Sequence, residues 1–143
     1  MVSVGGVRIA QIGRGILALV GISRQDRRED LEWMARKIVE IRIFQDSGGK
    51  MNLSLPEVQG ELLLISQFTL YGDCRKGRRP SYSEAAPGAE AEKLYEEFVQ
   101  IVRDLSPGAQ SGRFGAMMEV ALTNSGPVTL ILDSGQGGDS GEA

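Results

Sequence analysis

Apolar and polar positions alternate in different ways along the chain, and each way predicts a different element. Val2-Ser3-Val4 and Val7-Arg8-Ile9 alternate around Gly5-Gly6, the pattern of two short strands joined by a tight hairpin. Ile16 to Ile22 is a continuous apolar run flanked by Gly13 and Gly15, which suits a strand covered on both faces. Leu31, Met34, Ala35, Ile38 and Ile41 then recur at helical spacing. Asp26 followed by Glu29 resembles a capping box, so a helix is predicted over 27–41. Arg42-Ile43-Phe44 reads as a short strand and Asp46-Ser47-Gly48-Gly49 as a turn.

Glu61 to Leu70 starts as a buried strand, then turns polar at Ser66, Gln67 and Thr69. Polar groups at the end of a buried strand either bond to neighbouring backbone or face a pocket. Ala91, Leu94, Tyr95, Phe98, Val102 and Leu105 mark a second amphipathic helix, ended by Pro107-Gly108. Gln110 to Phe114 reads as a strand or extended link, Met118 to Leu122 as a half-buried strand, and Val128 to Leu132 as the last strand. Between these last two lies Asn124-Ser125-Gly126-Pro127, a turn. Its proline has no N–H for a ladder, and an X-Pro bond is the one kind that adopts cis at modest cost. Residues 134–143 hold Gly, Ser and acids without a large apolar side chain, and are expected to form a disordered tail.

The tally, about six strands with two long helices, predicts an α+β fold: a mostly antiparallel sheet or barrel with the helices packed outside. The length of 143 residues fits one domain, assigned to 1–133. No apolar run approaches the ~20 residues of a membrane helix, and the N-terminus has no signal-peptide pattern. With a single cysteine, Cys74, no internal disulfide can form. A cytoplasmic location, away from membranes, is the expectation.

Histidine is absent altogether. That removes Ser-His-Asp and Cys-His chemistry and, with one cysteine, the usual zinc ligand sets. Any proton transfer has to use carboxylates, hydroxyls, lysine, backbone, water or the substrate itself. The net charge of −3 speaks against a coat of basic surface. It leaves room for one local patch, and Arg75, Lys76, Arg78 and Arg79 are the densest candidate: either phosphate ligands or a solvated loop. Ser66-Gln67-Phe68-Thr69 either lines a substrate site, with backbone N–H groups for an oxyanion, or is a capped strand end. Lys50-Met51-Asn52 either contacts a ligand or restarts a strand. Met117-Met118 either lines a pocket for a flat base or fills core.

Two of these stretches carry a resemblance. Ser66-Gln67-Phe68-Thr69-Leu70 and Asn124-Ser125-Gly126-Pro127-Val128-Thr129 resemble the two signature motifs of D-aminoacyl-tRNA deacylases. Arg42-Ile43-Phe44, Gly49-Lys50-Met51-Asn52, Arg79-Pro80-Ser81-Tyr82 and Gly112-Arg113-Phe114 match between them, in order. The resemblance implies hydrolysis of the ester joining a D-amino acid, or mischarged glycine, to the 3′-terminal adenosine of tRNA. It implies a homodimer that uses no metal or cofactor. Gly126-Pro127 would be cis, would enter the partner's site, and would exclude L side chains through its carbonyls. Ser66, Gln67, Phe68 and Thr69 would form the pocket floor and oxyanion contacts. Phe114 and Met118 would lie near the adenine, with Lys50, Met51, Asn52 and Asn124 also on the substrate side. Arg75, Lys76, Arg78 and Arg79 would meet the acceptor stem. Family members carry a further N-terminal segment that forms a first strand, and this chain is expected to lack it. The alternatives are a relative with a trans Gly-Pro that clears small L-amino acids, an inactive tRNA-binding protein, and a serine or threonine hydrolase of small esters.

Overall fold

The hairpin at the N-terminus forms as its glycines require. β1 (Val2–Val4) and β2 (Val7–Ala10) pair antiparallel, and Gly5 and Gly6 both take positive φ, 57° and 80°. That is the backbone of a two-residue hairpin turn matched to strand twist. The structure is a computed structural model and describes residues 1–136. β3 (Gly15–Val20) follows, then α1 (Arg28–Glu40), the small hairpin β4 (Phe44–Gln45) and β5 (Met51–Leu53), and β6 (Glu61–Ser66). A 3-10 turn (Phe68–Tyr71) leads away from β6. α2 (Gly88–Leu105), β7 (Gln110–Ser111), β8 (Met118–Val120) and a 3-10 turn (Ser134–Gln136) complete the order.

The strands form three sheets: β2-β1-β8, β3-β6-β7 and β4-β5. The first and last are antiparallel, but β3-β6-β7 is parallel throughout. The expected antiparallel sheets and two long helices are present; the parallel sheet around β6 was not expected. Parallel neighbours need a long crossover, and the connections from β3 to β6 and from β6 to β7 carry α1 and α2.

β6 lies at the centre. Leu62 and Leu64 point into a core shared with Leu31, Ala35 and Ile38 of α1 and Phe98, Val99 and Val102 of α2. Leu63 and Ile65 point the other way, against Val2 and Ala10 of the first sheet. Burial on both faces is why this strand reads as an unbroken apolar run. β3, expected to be equally enclosed, is an edge strand with Leu19 exposed. The Tyr95 hydroxyl donates to the Leu64 carbonyl at 3.1 Å and meets the Ser111 hydroxyl at 2.7 Å, tying α2 to the sheet.

Other boundaries shift for identifiable reasons. α1 begins one residue later than expected, with the Arg27 N–H donating to the Asp30 carboxylate at 2.8 Å. Asp26, the expected cap, accepts from the Ser23 N–H at 2.7 Å instead. The strand expected through Leu70 ends at Ser66 and tightens into the 3-10 turn. Val128 to Leu132, expected as a strand, has no ladder partner among the described residues. Part of the expected tail, Ser134–Gln136, is a helical turn, and residues 137–143 lie outside the described ones. No described helix is long and apolar enough to cross a membrane.

Gly15 is where β3 and β6 come closest. A Cβ there would stand 1.7 Å from the Glu61 carbonyl oxygen, a backbone atom that cannot swing aside. Gly15→Ala is expected to open the first pair of the parallel ladder and to lower stability by at least about 2 kcal/mol. Urea unfolding checks this: the midpoint should fall, and an unchanged midpoint would contradict the close approach.

Candidate functional site

The site grows out of the end of β6. Once Ile65 is buried against the first sheet, the chain leaves the sheet at Ser66. The Gln67 N–H donates to the Val20 carbonyl at 2.7 Å, the last bond to β3. The turn then closes with Leu70 N–H to the Gln67 carbonyl (3.3 Å) and Gly72 N–H to the Thr69 carbonyl (2.9 Å). Among the described residues the N–H groups of Phe68 and Thr69 have no protein acceptor, as expected for the first donors of a helical turn. Phe68 is 58% exposed and meets Tyr82 edge-on, with ring centroids 5.1 Å apart. The Gln67 side-chain amide donates to the Thr69 hydroxyl. Thr69 therefore has an amide donor beside its oxygen, and among the described residues no hydrogen bond to a base activates it as a nucleophile.

Tyr82 was not singled out by its chemistry in the sequence. Its placement comes from a second closure: Asp73 and Ser81 exchange backbone hydrogen bonds of 2.7 and 2.9 Å, making a neck for residues 74–80. The basic cluster projects from that neck. Lys76, Arg78 and Arg79 are exposed and make no ion pair among the described residues. Arg75 is engaged within the loop. Its guanidinium holds both Asp73 carboxylate oxygens at 2.9 and 2.7 Å, so it serves the loop first.

Met118, on β8, lies with its sulfur 2.7 Å from the position a Gly112 Cβ would take, where Ile65 also reaches. It is therefore near the strand that delivers Ser66. Phe114 packs against Tyr95, centroids 5.7 Å apart. Lys50, Met51 and Asn52 sit on the β4-β5 hairpin, where Asp46 accepts from the Lys50 N–H (3.0 Å) and the Asn52 carbonyl accepts from Arg42 (2.8 Å). No hydrogen bond among the described residues joins this hairpin to the Ser66–Thr69 turn.

The second motif is an exposed turn braced from inside. Asn124 accepts from the Val128 N–H at 3.2 Å and donates to the Thr129 hydroxyl at 2.8 Å. The Gly126–Pro127 bond is cis, and Gly126 has a φ of 119°, open to glycine alone without strain. Residues 121–127 are all exposed.

The chain thus combines a strand-end turn with free N–H groups, an exposed and braced Gly-Pro turn, and no histidine. Residues 1–133 match the family described as D-Tyr-tRNA(Tyr) deacylase, and the chain belongs to that family. It is 56% identical to the D-aminoacyl-tRNA deacylase of Thermosipho africanus, over 93% of this chain and 89% of that one. Identity to the D-aminoacyl-tRNA deacylase of Desulfatibacillum aliphaticivorans is 57%, over 93% and 91%. Among solved structures, the c-Myc DNA unwinding element binding protein superposes with a TM-score of 0.87 at 42% identity, covering 92% of this chain and 90% of that one. A probable eukaryotic D-amino acid tRNA deacylase shares the fold, with a TM-score of 0.68 at 19% identity, over 82% and 84%.

The Arg75 guanidinium beside Asp73 holds that carboxyl down to about 2. A depressed carboxylate pKa contributes order that is fully present above the ordinary aspartate range and fades as pH falls toward 2. NMR titration should show Asp73 protonating near pH 2, and Arg75→Ala should return it toward the ordinary range. An unmoved titration in the variant would exclude this pairing.

Proposed function

We propose that this protein hydrolyses the ester bond of D-aminoacyl-tRNA, releasing the free D-amino acid and tRNA. Membership of the deacylase family supports the activity. The observation that carries the mechanism is the Ser66–Tyr71 turn, whose Phe68 and Thr69 N–H groups have no acceptor of their own.

An aminoacyl ester is already activated, so positioning and oxyanion stabilisation suffice. Water attacks the ester carbonyl carbon. The displaced electron pair collects on the carbonyl oxygen, where the Phe68 and Thr69 N–H groups receive it. As the carbonyl re-forms, the bond to the 3′-oxygen breaks. The proton lost by the water passes to that oxygen, with the adjacent 2′-hydroxyl of the tRNA as relay. Ser66 and Gln67 shape the floor, and Gln67 keeps the Thr69 hydroxyl in place.

Gly126-Pro127 of a second copy acts as the chirality filter, its carbonyls taking the substrate's amino group and leaving no space for an L side chain. The homodimer this requires is supported by Met117, Leu122, Leu130 and Ile131, apolar side chains left exposed near that turn in sequence. Phe114 and Met118 flank the adenine, and Lys50, Met51, Asn52 and Asn124 contact the bound 3′ end. Lys76, Arg78 and Arg79, with Arg75 bracing them, meet the acceptor-stem phosphates. Glycine mischarged on tRNA, having no side chain, passes the same filter. Such an enzyme works beside the synthetases, in the cytoplasm.

Purified protein should release D-Tyr from tRNA while L-Tyr-tRNA survives, measured by loss of labelled amino acid from tRNA. Equal loss of both enantiomers would refute the filter. Thr69→Ala should lower kcat by less than about 100-fold, because removing a true covalent nucleophile costs on the order of 10⁶-fold. Single-turnover assays distinguish the two.

A further inference from the structure

The turn that carries Phe68 and Thr69 is seated on a residue outside both motifs. Tyr71 ends the turn, and its ring lies against Gly21. A Cβ on Gly21 would stand 3.1 Å from the ring's Cε2, 3.2 Å from Cδ2 and 3.3 Å from the Gln67 carbonyl oxygen. Gly21 follows Val20 of β3, whose carbonyl accepts the Gln67 N–H. One end of β3 therefore holds the turn twice: by a hydrogen bond at its entrance and by an aromatic ring at its exit.

Tyr71 belongs to neither buried core cluster and is only half-buried. Burial, then the nearby carboxylates of Asp26 and Asp133, raise the pKa of its hydroxyl, with Ser23 as a hydrogen-bonding neighbour that acts the other way and Asp30 adding a smaller push upward. Its hydroxyl therefore stays protonated and uncharged through the working pH range.

We propose that Tyr71 is a positioning residue for the reaction: its ring, seated on Gly21, sets where the free N–H groups of Phe68 and Thr69 point. The proposal rests on the reading of that turn as the oxyanion site. A displacement of about 1 Å at a reacting centre costs on the order of 100-fold in rate, whereas loss of a half-buried ring outside the core leaves the fold intact.

The test compares wild type, Tyr71→Ala, Tyr71→Phe and Gly21→Ala on D-Tyr-tRNA, with melting temperature and circular dichroism alongside. Tyr71→Ala should lower kcat by about 10- to 100-fold with KM unchanged, while the fold and melting temperature stay close to wild type. Tyr71→Phe, which keeps the ring, should recover most of kcat. Gly21→Ala should lower kcat in the same way, and the double variant should lose little more than either single one, since both disturb one contact. Wild-type kcat in Tyr71→Ala, or a kcat loss matched by an equal loss of folded protein, would overturn the assignment. Wild type that leaves D-Tyr-tRNA intact would instead overturn the functional reading beneath it.

Discussion

Burial of β6 on both faces is the constraint from which the rest of this protein follows. One face needs helices and the other needs a sheet, so α1, α2 and the β2-β1-β8 sheet have no freedom to go elsewhere. A strand enclosed this way can meet the outside only at its ends. Glu61 sits at one end and Ser66 at the other. The first polar residues after the apolar run are thus delivered to one fixed place by a strand buried on both faces, which is what a site made of positioned groups demands.

That economy suits the chain's lack of histidine. Side-chain acids and bases have to be tuned by their surroundings, and each tuning ties function to burial and charge. Backbone N–H groups carry their dipoles at any pH and need only to be aimed. In the proposed reaction the cost moves from electrostatics to geometry: three hydrogen bonds, one aromatic contact and a few glycines would take the place of a titrating triad. The described ion pairs lie at the periphery, on the exposed faces of α1 and α2 and in the loop after Asp73.

Elements whose periodicity is strong and local were legible in the sequence. Both helices, the Gly5-Gly6 hairpin and the apolar part of β6 fall where the pattern puts them, because each expresses a short-range rule. Strand direction was not legible, since a run such as Ile16 to Val20 reads the same whether its neighbour runs with it or against it. Only the lengths of the helical crossovers carried that information. The turn at Phe68 was hidden because Phe68, Thr69 and Leu70 continue a strand-like alternation, while the N–H to Val20 that ends the ladder is a long-range contact. The two motifs of the site were legible as motifs. That Arg75 is engaged by Asp73, and that Tyr82 stands over Phe68, depends on the loop closing between residues 73 and 81, which spacing does not announce.

That closure has an evolutionary side. The neck between Asp73 and Ser81 is fastened by main-chain hydrogen bonds and by Arg75 on the Asp73 carboxylate, and Gly77 turns the loop with a φ of 65°. Lys76, Arg78 and Arg79, exposed and without an ion pair among the described residues, can change at little cost to folding. The charge this loop carries is thus adjustable separately from the strand end behind it, much as a handle can be refitted without recutting the blade.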